Sequence, residues 1–327
     1  MKLFFFSVLI FLLQSTVLPQ NNVNNDLLCH AKNAPYHVTV NINSLAEYLI
    51  KPVKTNREKI EVFYYWIAEN IAYDTQSYSS NNFSKTDAQT TLNSRKAVCQ
   101  GYSELFKALC DYAGIKCYTI NGYAKGFSYE YGDEFDKTNH AWNVVFIENK
   151  WQLIDATWGS GYVSYKDGRL QFTRQLKMEY FLSPPEKFIE KHLPANPMWQ
   201  LLDYPVSMSD YIKYGGTPEL LKTGNKYFSF TDSIQAFESL PEEDQKVKDA
   251  ESSYDFYPVD EDLLALYYYN HAVYLSAKYK DHVSLQKSLR YYYKAKAIYQ
   301  RSNSDNAGQI LEYCNQGIEY AEYYLNK

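Results

Sequence analysis

Lys96-Ala97-Val98-Cys99-Gln100-Gly101-Tyr102-Ser103-Glu104-Leu105-Phe106-Lys107-Ala108-Leu109-Cys110 is the stretch on which the rest of the chain is organised. From Cys99 onward the apolar residues fall at Tyr102, Leu105, Phe106, Leu109, Cys110 and Ala113, the i, i+3, i+4, i+7 spacing of an amphipathic helix. Gly114 follows, where a left-handed helix stop belongs. Cys99 then lies in the first turn, on the buried stripe. The positive end of the helix dipole favours the nucleophilic thiolate there. A buried structural cysteine is the bland alternative, and the choice depends on what lies further along.

Upstream, Asn43–Ile50 reads as a short helix with Ser44 as a cap and Glu47 three residues on; Pro52 ends it. Asn56–Ile71 reads as a longer helix whose buried stripe is Ile60, Phe63, Tyr64, Ile67 and Ala68, with Trp66 and Glu69 facing elsewhere. Asp74–Thr91 is polar and aperiodic, a surface loop. Downstream, Lys116–Ala124 reads as a strand. His140–Ile147 and Trp151–Trp158 form a hairpin joined at Glu148-Asn149-Lys150. Gly159-Ser160-Gly161 breaks the second strand, and proline and glycine then punctuate the chain from Ser183 to Pro218, which reads as mainly irregular.

Of the six histidines, only His140 opens an aromatic hairpin whose partner strand carries an in-line acid. Strand side chains alternate, so His140, Trp142, Val144 and Phe146 share one face, as do Trp151, Leu153, Asp155 and Thr157. An acid on an apolar face needs a partner, and a histidine is the natural one. Cys99 as nucleophile, His140 as base and Asp155 as the group fixing the imidazole tautomer make a coherent set. With a turn at Asn149-Lys150, however, Asp155 lies opposite Val144 and roughly 13 Å from His140. Contact then needs a bulge, or a register centred nearer Ile147 and Glu148.

Cysteine in a first helical turn, histidine about 40 residues on and acid about 15 beyond resemble the transglutaminase-like cysteine superfamily. Lys96–Ser103 is similar to its nucleophile motif, Asn139-His140-Ala141-Trp142-Asn143 to its histidine motif, and Leu153–Gly161 to its acid motif. Tyr65–Asp74 resembles the helix that precedes the cysteine. The likeness is greatest to the kyphoscoliosis-peptidase branch, in exported bacterial form. It implies an α+β, papain/transglutaminase-like core, with the cysteine helix packed on an antiparallel sheet. It also implies catalytic roles for Cys99, His140 and Asp155. The Cys99 backbone N–H is one oxyanion donor; a side chain between Tyr73 and Lys96 would be the other.

At 327 residues, with 46% hydrophobic and 22% charged residues, the composition is that of a globular protein. A net charge of −5 argues against a nucleic-acid surface. Met1-Lys2 followed by Leu3–Leu13 reads as a secretory signal, with a retained membrane anchor as the alternative. Three regions are expected: a signal over 1–20, a transglutaminase-like domain over 21–215 with its motif core at 60–165, and a linker and helical region over 216–327. Five cysteines leave at least one thiol unpaired if the chain is exported. No metal-ligand spacing stands out, and neither a metal nor a cofactor is expected.

The C-terminal third is rich in Ala and Tyr and reads as helices over 262–279, 285–301 and 307–325. Tyr267-Tyr268-Tyr269 and Tyr291-Tyr292-Tyr293 form a weak repeat. A tetratricopeptide-like array that docks a protein partner is one reading, and ordinary helix packing is the other. The expected function is exported cysteine-dependent acyl transfer on a protein or peptide amide. Hydrolysis is favoured over transamidation because no calcium-loop pattern accompanies the motifs. The alternative is a catalytically silent binding or scaffold protein for peptides or cell-wall components.

Overall fold

The computed structural model describes residues 23–80, 87–224 and 226–327; the expected signal at 1–20 lies outside them. Eight strands occur among these residues. β1 (Ala72–Tyr73) and β2 (Lys96–Ala97) form a parallel bridge. β3 (Cys117–Ala124), β4 (His140–Ile147), β5 (Lys150–Ile154) and β8 (His192–Pro194) form one antiparallel sheet in the order β5-β4-β3-β8. β6 (Gly161–Lys166) and β7 (Arg169–Arg174) form a separate hairpin.

The helix Cys99–Tyr112 packs across β3 and β4, and Gly114 beyond it takes φ +69° as its left-handed stop. Asn143, fully buried in β4, ties the two layers by donating Nδ2–H to Ser103 O at 3.1 Å. Cys117, Val145, Ile147 and Ile154 face the helical layer. Ile120, Trp142, Val144 and Leu153 face a second core with Phe188, Trp199, Ile234 and Phe237. This α+β arrangement is the one expected, followed by a run of C-terminal helices.

Several local expectations need correction. The first of the two upstream helices is Ile42–Ile50, capped by Asn41, which accepts from Ser44 N; Ser44 is not the cap. The second, Asn56–Asn70, has a Thr55–Glu58 capping box and no solvent face along most of its length. Val62, Tyr65 and Trp66 are as buried as the expected stripe, because neighbouring elements enclose the helix on all sides. The polar stretch after Asp74 contains short helices at Thr75–Ser80 and Ala88–Ser94. The region expected to be irregular contains the inserted strand β8, and the β6–β7 hairpin precedes it in a stretch to which the sequence reading assigns no element.

Helices Glu242–Phe256, Glu261–Lys278, His282–Tyr299 and Ala307–Leu325 pack in succession around their own core. The two tyrosine triplets meet there, Tyr268 on Tyr291 at 5.7 Å and Tyr269 on Tyr292 at 6.2 Å between ring centroids. The stripe is thus helix packing. Asn196 and Trp199 both donate to Asp249, joining the sheet layer to the first of these helices.

Candidate active site

Val98 precedes the cysteine helix in extended conformation and offers no side-chain cap. The first-turn N–H groups, that of Cys99 among them, are therefore left without a side-chain acceptor. Gly101 lets this turn pack tightly: a Cβ there would meet Thr91 Oγ1 at 2.5 Å and Ala97 Cβ at 2.7 Å. The β1–β2 bridge aligns Tyr73 with Ala97 and brings Tyr73 near the thiol. Burial, followed by the proximity of Cys99, raises the Tyr73 pKa. Cys99 itself is half-buried, and all five cysteines are free thiols.

The hairpin register settles the distance between His140 and Asp155. Glu148 and Asn149, both at positive φ (51° and 59°), form the two-residue turn and pair Ile147 with Lys150. The turn expected at Asn149-Lys150 is thus one residue too late. Val144 lies opposite Leu153, and continuing the register brings Asp155 opposite Trp142 instead of Val144. That leaves His140 one diagonal step away. The second strand ends at Ile154, short of the expected Trp158, because Asp155 caps the helix Ala156–Ser160 through Oδ1 with N–H donors from Thr157 and Trp158.

His140 Nε2 lies 2.9 Å from Asp155 Oδ2, and both side chains are buried. Nε2 is engaged by the acid, so Nδ1 is the nitrogen left for the thiol. A second histidine, absent from the sequence reading, completes the group: His192 Nε2 lies 3.0 Å from the same Oδ2. His140 is paired with Gly122 and His192 with Ala124. These small residues on the intervening strand β3 let the imidazoles converge to 5.6 Å between centroids. His192 is stacked on Phe188 and packed against Trp158, each at 4.2 Å. No periodicity could reveal it, since β8 is only three residues long.

Burial works against the charged form of each of the three groups. At Asp155 it is outweighed by the charge of His140 and by hydrogen bonds from both histidines, so the carboxyl is held far below the usual range. At His140, burial is outweighed by the Asp155 charge and hydrogen bond and by contact with Cys99, pushing the imidazole up to about 10. At His192 burial prevails and the pKa falls, which leaves a neutral ring donating Nε2–H to Asp155.

The His140 shift has a sign that can be measured. Its stabilising contribution is full below the unfolded value of 6.5 and is lost as pH rises through about 10. That of Asp155 is present above 3.8 and is lost as pH falls below it. Denaturant unfolding of wild type and His140→Gln should therefore differ by a few kcal/mol at about pH 6, the gap closing toward about pH 10. A pH-independent gap would contradict the ion pair.

His140, Asp155 and His192 also hold one ligand atom each within 4.8 Å of one another, a spacing compatible with a metal. Both Nε2 atoms already share Oδ2, so the carboxylate here serves as the common acceptor of two imidazoles. The group has the chemistry of a proton network.

A cleft of about 350 Å³ opens on His140 and Tyr73; Cys99 is not among its lining residues. Its walls are aromatic, with Tyr78, Phe127, Trp158, Tyr162, Phe172 and Tyr180. Tyr78 and Ser128 meet across it, hydroxyl to hydroxyl, at 3.2 Å.

The family model for the transglutaminase-like superfamily matches residues 43–156. Human kyphoscoliosis peptidase is 38% identical over 174 residues, 52% of this chain and 26% of that protein. The mouse protein is 36% identical over 171 residues, with the same shares. The chain thus spans about a quarter of the length of the curated relatives it matches. The crystal structure of a TGase is 17% identical, covering 50% of this chain and 40% of that chain at a TM-score of 0.30. Residues 43–156 are a domain of the transglutaminase-like superfamily.

Proposed function

We propose that the chain is a cysteine-dependent acyl-transfer enzyme acting on peptide or glutamine amides, with hydrolysis as its main outcome. The observation that carries this reading is the buried His140–Asp155 pair with Cys99 bearing on the same imidazole. The Cys99 sulfur attacks the amide carbonyl and forms a C–S bond as the carbonyl electrons move to oxygen. The Cys99 N–H and the Tyr73 hydroxyl stabilise that oxyanion. His140 gives its Nδ1 proton to the leaving amine as the C–N bond breaks, leaving a thioester. His140, now neutral, takes a proton from water as the water oxygen attacks the thioester carbonyl; the C–S bond then breaks, releasing the carboxylic acid and returning the sulfur as a thiolate beside protonated His140. Asp155 keeps the imidazole oriented throughout, and His192 holds Asp155 in place.

Amine attack on the same thioester would give transamidation. The aromatic cleft suits a peptide segment, and the proposed site of action is outside the cytoplasm, as the residues at 1–20 imply.

The test is iodoacetamide alkylation of Cys99, followed by peptide mass spectrometry, in wild type and His140→Ala. The expected result at about pH 6 is a rate at least 10-fold higher in wild type, since His140→Ala removes the charged imidazole beside the sulfur. Equal, slow rates in both proteins would leave a binding or scaffold protein as the better reading.

A further inference from the structure

The cleft on His140 carries charge of one sign. Lys125, Lys177 and Lys191 line it, and no aspartate or glutamate does. The whole chain has the opposite balance, with 38 acids against 33 lysines and arginines. Every Asp and Glu lies among the described residues, and none of the three lysines forms an ion pair there. The neighbouring loop holds Glu130, Asp133, Glu134 and Asp136, yet none of them reaches the lining. Glu179, on the surface, sits beside the Tyr180 hydroxyl at the wall.

The lysines are distributed over separate elements. Lys125 follows β3 and Lys191 precedes β8; Lys125 N donates to Lys191 O at 3.0 Å. Lys177 is held elsewhere, its N–H donating to Gly159 O at 2.9 Å and its ammonium 5.6 Å from the Tyr162 ring. Lys125 donates to Tyr211 O and Ile212 O, so its charge is anchored. Among the described residues the ammonium groups of Lys177 and Lys191 have no such hydrogen bond, which leaves them available to a ligand. Thr157 opens on the same cleft with its hydroxyl buried and without a partner among the described residues. Leaving such a group unpaired is costly, and a bound acceptor would satisfy it.

We propose that this cleft takes an acidic peptide, with carboxylate side chains flanking the residue presented at His140 and an aromatic or apolar side chain against the ring wall. Spaced point charges without an arginine fork suit dispersed carboxylates better than a phosphate. The proposal rests on the acyl-transfer reading for what happens to the peptide, but not for its binding.

The experiment uses fluorescein-labelled seven-residue peptides with a Phe-Gln centre flanked by glutamates, serines or lysines. Binding to the full chain carrying Cys99→Ser is followed by fluorescence anisotropy at low and high salt. The glutamate peptide should bind about 10-fold tighter than the serine peptide at low salt, and the lysine peptide weaker still, with the preference shrinking as salt rises. Lys177→Glu with Lys191→Glu should reverse the order. Lys191→Glu alone, at an exposed position, should remove about half of the preference (in log units) with the fold intact by circular dichroism. Equal binding of the three peptides, no binding of any, or a preference unchanged by these substitutions would overturn the proposal. Acidic preference with an unreactive wild-type Cys99 would instead remove the enzyme reading and leave the acidic-peptide site standing.

Discussion

Asp155→Ala is expected to cost about 4 kcal/mol of folding stability, because one side chain satisfies four donors. Its Oδ1 caps the helix Ala156–Ser160 and its Oδ2 accepts from His140 and His192. Removing it orphans two buried imidazole N–H groups and two backbone N–H groups at once. Only the contact with Cys99 then opposes burial at His140, so its pKa should fall well below the wild-type value. Cys99 alkylation should fall to the His140→Ala level.

Asp155→Asn separates the two roles. Its amide oxygen can still cap the helix, but its NH₂ would face two Nε2 atoms and drive both rings to the opposite tautomer. Stability should fall by only about 2 kcal/mol, whereas turnover on an accepted peptide should fall by about 10⁴-fold, as expected when the tautomer is wrong. Denaturant melts, alkylation and NMR titration of the imidazole report the three effects. An Asp155→Asn protein with wild-type reactivity and an unchanged His140 titration would remove Asp155 from the proposed chemistry.

Gly122→Val should be comparably severe, at about 3 kcal/mol or more. Even a single added Cβ would lie 2.3 Å from Trp142 Cη2 and 2.4 Å from Leu193 O. The second contact is backbone, so β8 would have to move away from β3. His192 rides on β8 and His140 is paired with Gly122 itself. The substitution should therefore lower Cys99 reactivity together with stability, even though position 122 touches neither the thiol nor the carboxylate. A stable Gly122→Val protein with unchanged alkylation would show that the spacing of β3 and β8 does not set the site.

The phase of the Cys99 helix, its glycine stop, the hairpin strands and the last three long helices were all legible in the chain. Each is written in local periodicity and end signals that need no knowledge of distant residues. Cys99, His140 and Asp155 could be singled out for the same reason: each sits in a short distinctive word of sequence. Tertiary structure decided what those words could not. The hairpin register depended on which two residues would accept positive φ, and one residue's difference in the turn moved Asp155 from Val144 to Trp142. Trp66 is buried because neighbours close around its helix, which no single-helix stripe can reveal. His192 entered the site through a strand too short to carry a pattern, 37 residues from the acid it contacts. The lysines of the cleft converge from positions 125, 177 and 191, and only the folded chain brings charges that far apart in sequence to one wall.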